Sequence, residues 1–223
     1  MLKALIFDFD GLILDTETPE FVVWQAIYRE HGFDLPEERW GSIVGGLGQS
    51  HFDAAAHLAE LTRGGADAAL ARAMHRSRSD AMILSQAVLP GVMDILEAAR
   101  LRGLGLAVAS SSPHAWVDGH LSRLGLFDRF DHILCAEDVP AGRTKPHPDL
   151  FLKALEALGA RADEALVFED SPNGVKAARA AGIFVVAAPN PTTSRLAFEG
   201  GSLRVDSLAD LPLADLLARF AVQ

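Results

Sequence analysis

Leu2-Lys3-Ala4-Leu5-Ile6-Phe7-Asp8-Phe9-Asp10-Gly11 lies at the N-terminal end of a 223-residue sequence. Its apolar residues fall on consecutive positions, not alternate ones, the pattern of a strand buried on both faces of a parallel sheet. Similar runs recur at residues 104–109, 132–136, 165–168 and 183–187, and residues 200–206 form a candidate last strand. Helical patterns separate most of them. In residues 148–158, Pro148 suits a first turn, Phe151, Leu155 and Leu158 share one face, and Gly159 is a natural terminator. Ser171-Pro172 opens another helix that Gly182 closes, and Ser112-Pro113 opens a third that ends near Gly125, with Ser112 as its N-cap. Strand and helix in this rhythm predict an α/β fold, a doubly wound parallel sheet.

One region breaks the rhythm. After the first strand, about eighty residues carry no strand pattern. Phe21, Trp24, Tyr28 and His31 fall on one helical face, read as packing, and Ala-rich stretches follow at residues 53–61 and 67–74. The expected organisation is a core domain of residues 1–15 and 85–223 with an all-helical cap domain, residues 16–84, inserted in it. The expected hinges are residues 14–19 and 79–91.

Composition narrows the function. Hydrophobic residues make up 49% and charged residues 22%, ordinary globular usage, and the formal net charge is −10. That charge disfavours nucleic-acid and anionic-membrane partners, which need a positive surface. A single cysteine, Cys135, allows no internal disulfide and reads as core packing. The apolar N-terminal run meets Asp8 too soon for a signal peptide, and no apolar run approaches the ~18 residues of a membrane span. A cytoplasmic location is the expectation; the sequence does not show an oligomeric state.

Ligands of an open parallel sheet gather beyond the carboxyl ends of its strands. The first strand runs into Asp8-Phe9-Asp10-Gly11, whose carboxylates at i and i+2 project to one side. Two such carboxylates repel unless a cation or a shared proton relieves them. The fourth apolar run ends in Glu169-Asp170, just before a helix. Asp8, Asp10, Glu169 and Asp170 at neighbouring strand ends describe a hard-cation site, and oxygen ligands without His or Cys favour Mg²⁺ over zinc. The second strand ends in Ser110-Ser111-Ser112, where hydroxyls and free N–H groups suit phosphate oxygens. Ser110 is the better donor, with Ser111 beside it. Lys145-Pro146 and His147-Pro148 stiffen the segment after the third strand, so Lys145 is a held ammonium able to neutralise phosphate and carboxylates together.

Taken in order, Asp8-Phe9-Asp10-Gly11, Ser110, Lys145-Pro146 and Glu169-Asp170-Ser171-Pro172-Asn173-Gly174 resemble the four motifs of the haloacid dehalogenase-like hydrolase superfamily. The helical insert resembles that of the subgroup holding β-phosphoglucomutase and many sugar-phosphate phosphatases. The dehalogenases lack the second aspartate, so Asp10 points to phosphate chemistry. The resemblance implies Asp8 as nucleophile, forming an aspartyl-phosphate, and Asp10 as acid and base. It implies Mg²⁺ held by the Asp8 and Asp170 carboxylates and the Asp10 carbonyl, with Glu169 supporting. Ser110 and Lys145 would hold the transferring oxygens, and the cap would close over the site.

Three readings follow: a phosphatase acting on a small phosphorylated metabolite, a phosphomutase, and a non-enzymatic phospho-accepting switch. The mutase carries a cap-loop arginine where residues 45–49 offer Gln49, and a histidine shortly after the first motif where residues 17–20 have none. The switch domains lack a carboxylate two residues past the acceptor and carry no cap. Glu17, Gln49, Arg76 and His114 are the candidates for contacting the substrate.

Overall fold

The structure, a computed structural model, describes residues 1–36, 39–40, 52–198 and 203–220. Six strands form one parallel sheet: β1 (Ala4–Phe7), β2 (Gly105–Ala109), β3 (His132–Leu134), β4 (Ala165–Glu169), β5 (Phe184–Ala187) and β6 (Leu203–Arg204). Their spatial order is β3-β2-β1-β4-β5-β6, so β1 is flanked by β2 and β4. Phe7 lies level with Val108 on one side and Phe168 on the other, which sets the ends of three strands side by side. The chain leaves β1 toward β2 and later returns to its other side at β4. This reversal is where an open sheet forms its ligand crevice.

Consecutive burial has a direct cause here. Leu5 and Phe7 enter one core with Leu106, Val108, Leu166 and Phe168, while Ala4 and Ile6 enter a second with Ala107, Ala109, Ala165 and Val167. The helices α4 (Val92–Arg100) and α5 (His114–Arg123) cover the first face, and α6 (Asp149–Leu158) and α7 (Pro172–Ala180) the second. A C-terminal helix, α8 (Leu213–Phe220), packs Leu213 and Leu216 on the first. Cys135 is fully buried in that core, as its apolar setting predicts.

Between β1 and α4 the described residues include the helices α1 (Glu17–Glu30), α2 (Ala54–Leu61) and α3 (Ala68–Ser85). Asp53 and Asp67 cap α2 and α3, each side chain accepting two backbone N–H groups. The three helices share a separate core of Val23, Trp24, Ile27, Tyr28, Leu58 and Ala71, in which the Tyr28 hydroxyl donates to the Ala54 carbonyl at 2.8 Å. His31, expected on the aromatic face, is exposed because α1 ends at Glu30. The chain enters and leaves this group side by side: Leu14 bridges Val88, and the Leu89 N–H donates to the Ile13 carbonyl at 2.9 Å. α3 continues to Ser85, so residues 79–85, expected as part of a hinge, are helical.

Candidate active site

Four strand ends supply the site. Asp8 follows β1 directly and stays in register, its N–H donating to the Phe168 carbonyl at 3.0 Å. Gly11 then turns the chain with φ +80°, and a Cβ there would collide with the Asp170 carboxylate. A side chain at position 11 would thus be strained and would push the first and fourth strand ends apart. At β4, Glu169 and Asp170 enter the site, and Ser171 caps α7 by accepting the Gly174 N–H at 3.1 Å.

The charges are buried: Asp8 is 6% exposed, Lys145 4%, Glu169 0% and Asp170 2%. The Lys145 ammonium donates to Asp8 Oδ1 and to Glu169 Oε1, each at 2.5 Å. The other Glu169 oxygen accepts from the Ser171 N–H at 3.1 Å and its hydroxyl at 3.0 Å. Asn190 donates to Asp170 Oδ2 at 2.7 Å. Burial and then the charge of Glu169 push Asp8 up to about 7, against the opposing pull of Lys145. Burial, Glu169 and Asp8 likewise hold Asp170 well above the usual carboxylate range. Carboxylate oxygens of Asp8, Glu169 and Asp170 lie within 4.8 Å of one another with a single lysine among them. Buried acids left short of positive charge, offering only oxygen, fit a hard divalent cation such as Mg²⁺.

Asp10 points elsewhere. Its Oδ2 accepts from the hydroxyls of Ser112 at 2.6 Å and Ser110 at 3.3 Å, and its Oδ1 from the Trp116 indole at 2.8 Å. Ser112 is therefore not the helix cap expected from sequence. Pro113 occupies the N-cap of α5 without a side-chain bond, and the Glu137 carboxylate takes the His114 N–H instead. A hydroxyl offered a nearby carboxylate makes the stronger, charge-assisted bond there.

A cleft of about 540 Å³ joins these groups, lined by Asp8, Asp10, Ser110, Ser111, Lys145 and Asp170 on the sheet side. The insert side contributes Thr16, Glu17, Glu20, Trp40 and Asp80. Burial and then Glu20 raise Glu17 to about 8, and burial and Asp10 raise Glu20 to about 7. Glu17, expected to contact substrate, is on this wall. Arg76 and His114 are not: Arg76 is exposed on α3, and both His114 ring nitrogens are taken, by Asp118 and by Asp138. Gln49 lies outside the described residues.

Sequence reasoning missed Glu20, Trp40, Asp80, Trp116 and Asn190. Asn190 was within reach, because it follows β5 as Ser110 follows β2. The others carry no local mark.

This acidic, lysine-bearing crevice lies at the reversal of a parallel sheet, where such sheets bind their ligands. Residues 2–182 match the family model described as haloacid dehalogenase-like hydrolase, and the chain belongs to that family. It is an enzyme, a hydrolase of the phosphatase kind. YhcW of Bacillus subtilis, named as a candidate phosphatase, is 44% identical over 97% of each chain. Fructose-1-phosphate phosphatase YqaB of Escherichia coli is 32% identical over 82% of this chain and 94% of its own. Among solved structures, a hydrolase of this family from Deinococcus radiodurans with bound phosphate and sodium superposes with a TM-score of 0.78. It is 28% identical over 99% of this chain and 97% of that one. A candidate β-phosphoglucomutase from Thermotoga maritima gives 0.76 at 25% identity, over 98% of this chain and 99% of that one. Among the described residues, no helix is long and apolar enough to cross a membrane.

Proposed function

We propose that this hydrolase cleaves small phosphate monoesters, sugar phosphates among them, through an aspartyl-phosphate on Asp8, with Mg²⁺ as cofactor and the cytoplasm as its location. The observation that carries the reading is the burial of Asp8, Lys145, Glu169 and Asp170 at one crevice, with Asp10 two residues from the nucleophile. Asp8, Asp170 and the Asp10 carbonyl would hold the cation, with Glu169 supporting. When bound, the cation offsets repulsion between an anionic nucleophile and an anionic ester.

The chain's own groups do the rest. Asp8 attacks phosphorus, and Lys145 neutralises both the attacking oxygen and the incoming phosphoryl oxygens. The Ser110 hydroxyl, with Ser111 beside it, donates to those oxygens and keeps them in line. Asp10, once its carboxyl swings from Ser112 and Trp116 toward the ester, serves as the acid that delivers a proton to the departing alkoxide. It then takes a proton from the water that opens the acyl phosphate. Residues 16–84 act as a cap on a core of residues 1–15 and 85–223, excluding bulk water by closing against it. The mutase reading lacks its histidine in residues 17–20, which supports hydrolysis.

Asp8→Asn and Asp10→Asn, assayed with Mg²⁺ on an aryl phosphate, should each lose activity by on the order of 10² or more while folding normally. Acid quenching of the wild type during turnover should trap phosphate on the protein, and none on Asp8→Asn. Near-normal turnover by Asp8→Asn would end the proposal.

A further inference from the structure

The loop after β5 fixes one half of the Asp170 carboxylate. Asn190 donates to its Oδ2 at 2.7 Å, and the Thr193 hydroxyl lies 3.5 Å from the same oxygen. All three residues are buried. The Asn190 amide cannot be turned round, because its Oδ1 already accepts the N–H groups of Thr192 at 2.8 Å and Thr193 at 2.9 Å. A flipped amide would set its NH₂ against those two donors. Gly11 closes the pair from the β1 side, where a Cβ would collide with both Asp170 Oδ2 and Asn190 Nδ2. Asp170 Oδ2 therefore has a fixed donor on one side and backbone on the other, and the carboxylate has little room to rotate.

The neighbouring acids are divided in the same way. Lys145 takes Asp8 Oδ1 and Glu169 Oε1, and Ser171 takes Glu169 Oε2 with both its N–H and its hydroxyl. Among the described residues, one oxygen of Asp8 and one of Asp170 are left without a donor, and both residues line the cleft. Glu169 has none to spare.

That division bears on which cation fits. Ca²⁺ takes roughly six to eight oxygens and often binds both oxygens of a carboxylate, whereas Mg²⁺ holds to octahedral geometry with one or two carboxylates, water and phosphate oxygens. An Asp170 free to turn would offer a cation two oxygens. Tied by Asn190, it offers one.

We infer that Asn190 is a metal-selectivity residue: by occupying Asp170 Oδ2 it limits that ligand to a single oxygen and so favours Mg²⁺ over Ca²⁺. Asn190 acts through Asp170, as a positioning residue. The inference rests on the reading of Asp8 and Asp170 as Mg²⁺ ligands, and goes beyond it in naming what disfavours the larger ion.

The test is calorimetric titration of the metal-free enzyme with Mg²⁺ and with Ca²⁺, without substrate. Asn190→Ser removes the amide donor and leaves a hydroxyl to accept from the turn. The ratio of the Ca²⁺ Kd to the Mg²⁺ Kd should fall by on the order of tenfold, the scale on which groups behind a metal ligand act. Ca²⁺ should also bind more tightly than it does to the wild type. Damage to the loop alone would weaken both ions. Terbium(III), luminescent and close to Ca²⁺ in size, gives a second readout, since its lifetimes in H₂O and D₂O count bound water. On Asn190→Ser it should hold about one water fewer than on the wild type, displaced by the second Asp170 oxygen. If Asn190→Ser does not fold, Asn190→Asp decides: it keeps the acceptor for the turn and sets a carboxylate against Asp170 Oδ2. Both ions should then bind more tightly, with the ratio moving the same way. A ratio that stays put or rises in a folded variant, while the wild type binds Mg²⁺, would overturn the role of Asn190 and leave the Mg²⁺ reading standing. A wild type that binds neither ion would overturn that reading and this inference with it.

Discussion

At the scale of single residues, the site is a problem in charge that the fold leaves unsolved without a cation. Lys145 is shared between Asp8 and Glu169, and among the described residues Asp170 accepts from the neutral amide of Asn190 and the Thr193 hydroxyl. Asp8, held up to about 7, stays protonated in the metal-free fold at pH values where an unfolded chain, with an ordinary value of 3.8, has lost the proton. Between those two values the unfolded state binds fewer protons, so the metal-free fold loses stability as pH rises. On the proposed reading, a bound Mg²⁺ would take up the charge that the rising pH exposes. Its effect on Tm should therefore be larger at pH 8 than at pH 5.5, in melts with excess Mg²⁺ or with a chelator. Asp8→Asn should flatten the metal-free pH dependence. Equal Mg²⁺ shifts at both pH values would contradict this balance.

At the scale of elements, α7 shows how the sequence sets a buried site carboxylate through backbone. Glu169 closes β4, Ser171 caps the helix and binds the Glu169 carboxylate, and Gly174 leaves the space that the carboxylate fills. Helix propensity alone predicts that Gly174→Ala gains up to about 1 kcal/mol. The packing predicts the reverse, because the new Cβ would sit inside the Glu169 carboxyl group. We expect a loss on the order of 1–3 kcal/mol by denaturant melts, with activity falling as Glu169 releases Lys145. A stabilised, fully active Gly174→Ala would show that this cradle is not required.

The same element marks how far sequence carries. Ser171-Pro172 and Gly182 bound α7 as local chemistry predicts, and the strand positions follow from residues buried on two faces. Asp8, Glu169 and Asp170 were legible because each sits at the exit of a strand or just beyond it, where chain order fixes place, and Lys145, well past β3, because prolines stiffen its segment. Ser112 was misread because its hydroxyl chooses between a backbone N–H and a carboxylate a hundred residues away in sequence. Trp40 and Asp80 gave no signal at all, since they reach the cleft only through the packing of the insert. Helical periodicity places a side chain on a face but does not say what the face meets.

At the scale of the whole molecule, an acidic chain with a formal charge of −10 concentrates its chemistry in one crevice between two differently built parts. The sheet and its flanking helices share two cores, and α1, α2 and much of α3 bury a third of their own. Ile83, near the end of α3, packs into the sheet's core, so that helix joins the two parts beyond the paired crossings at Leu14 and Val88. If the insert is an independently stabilised cap, damage to its core should stay within it. Leu58 is fully buried there. Leu58→Ala should weaken the insert by roughly 2–5 kcal/mol through lost contacts and the cavity left behind. Hydrogen exchange should then quicken across residues 17–85, apart from the end of α3 held by Ile83, while the amides of β1, β2 and β4 keep their wild-type protection. Exchange that quickens equally in those three strands would mean that insert and sheet open as one unit. Cap closure would then have to arise from bending within a single body, with the paired crossings as passive joints.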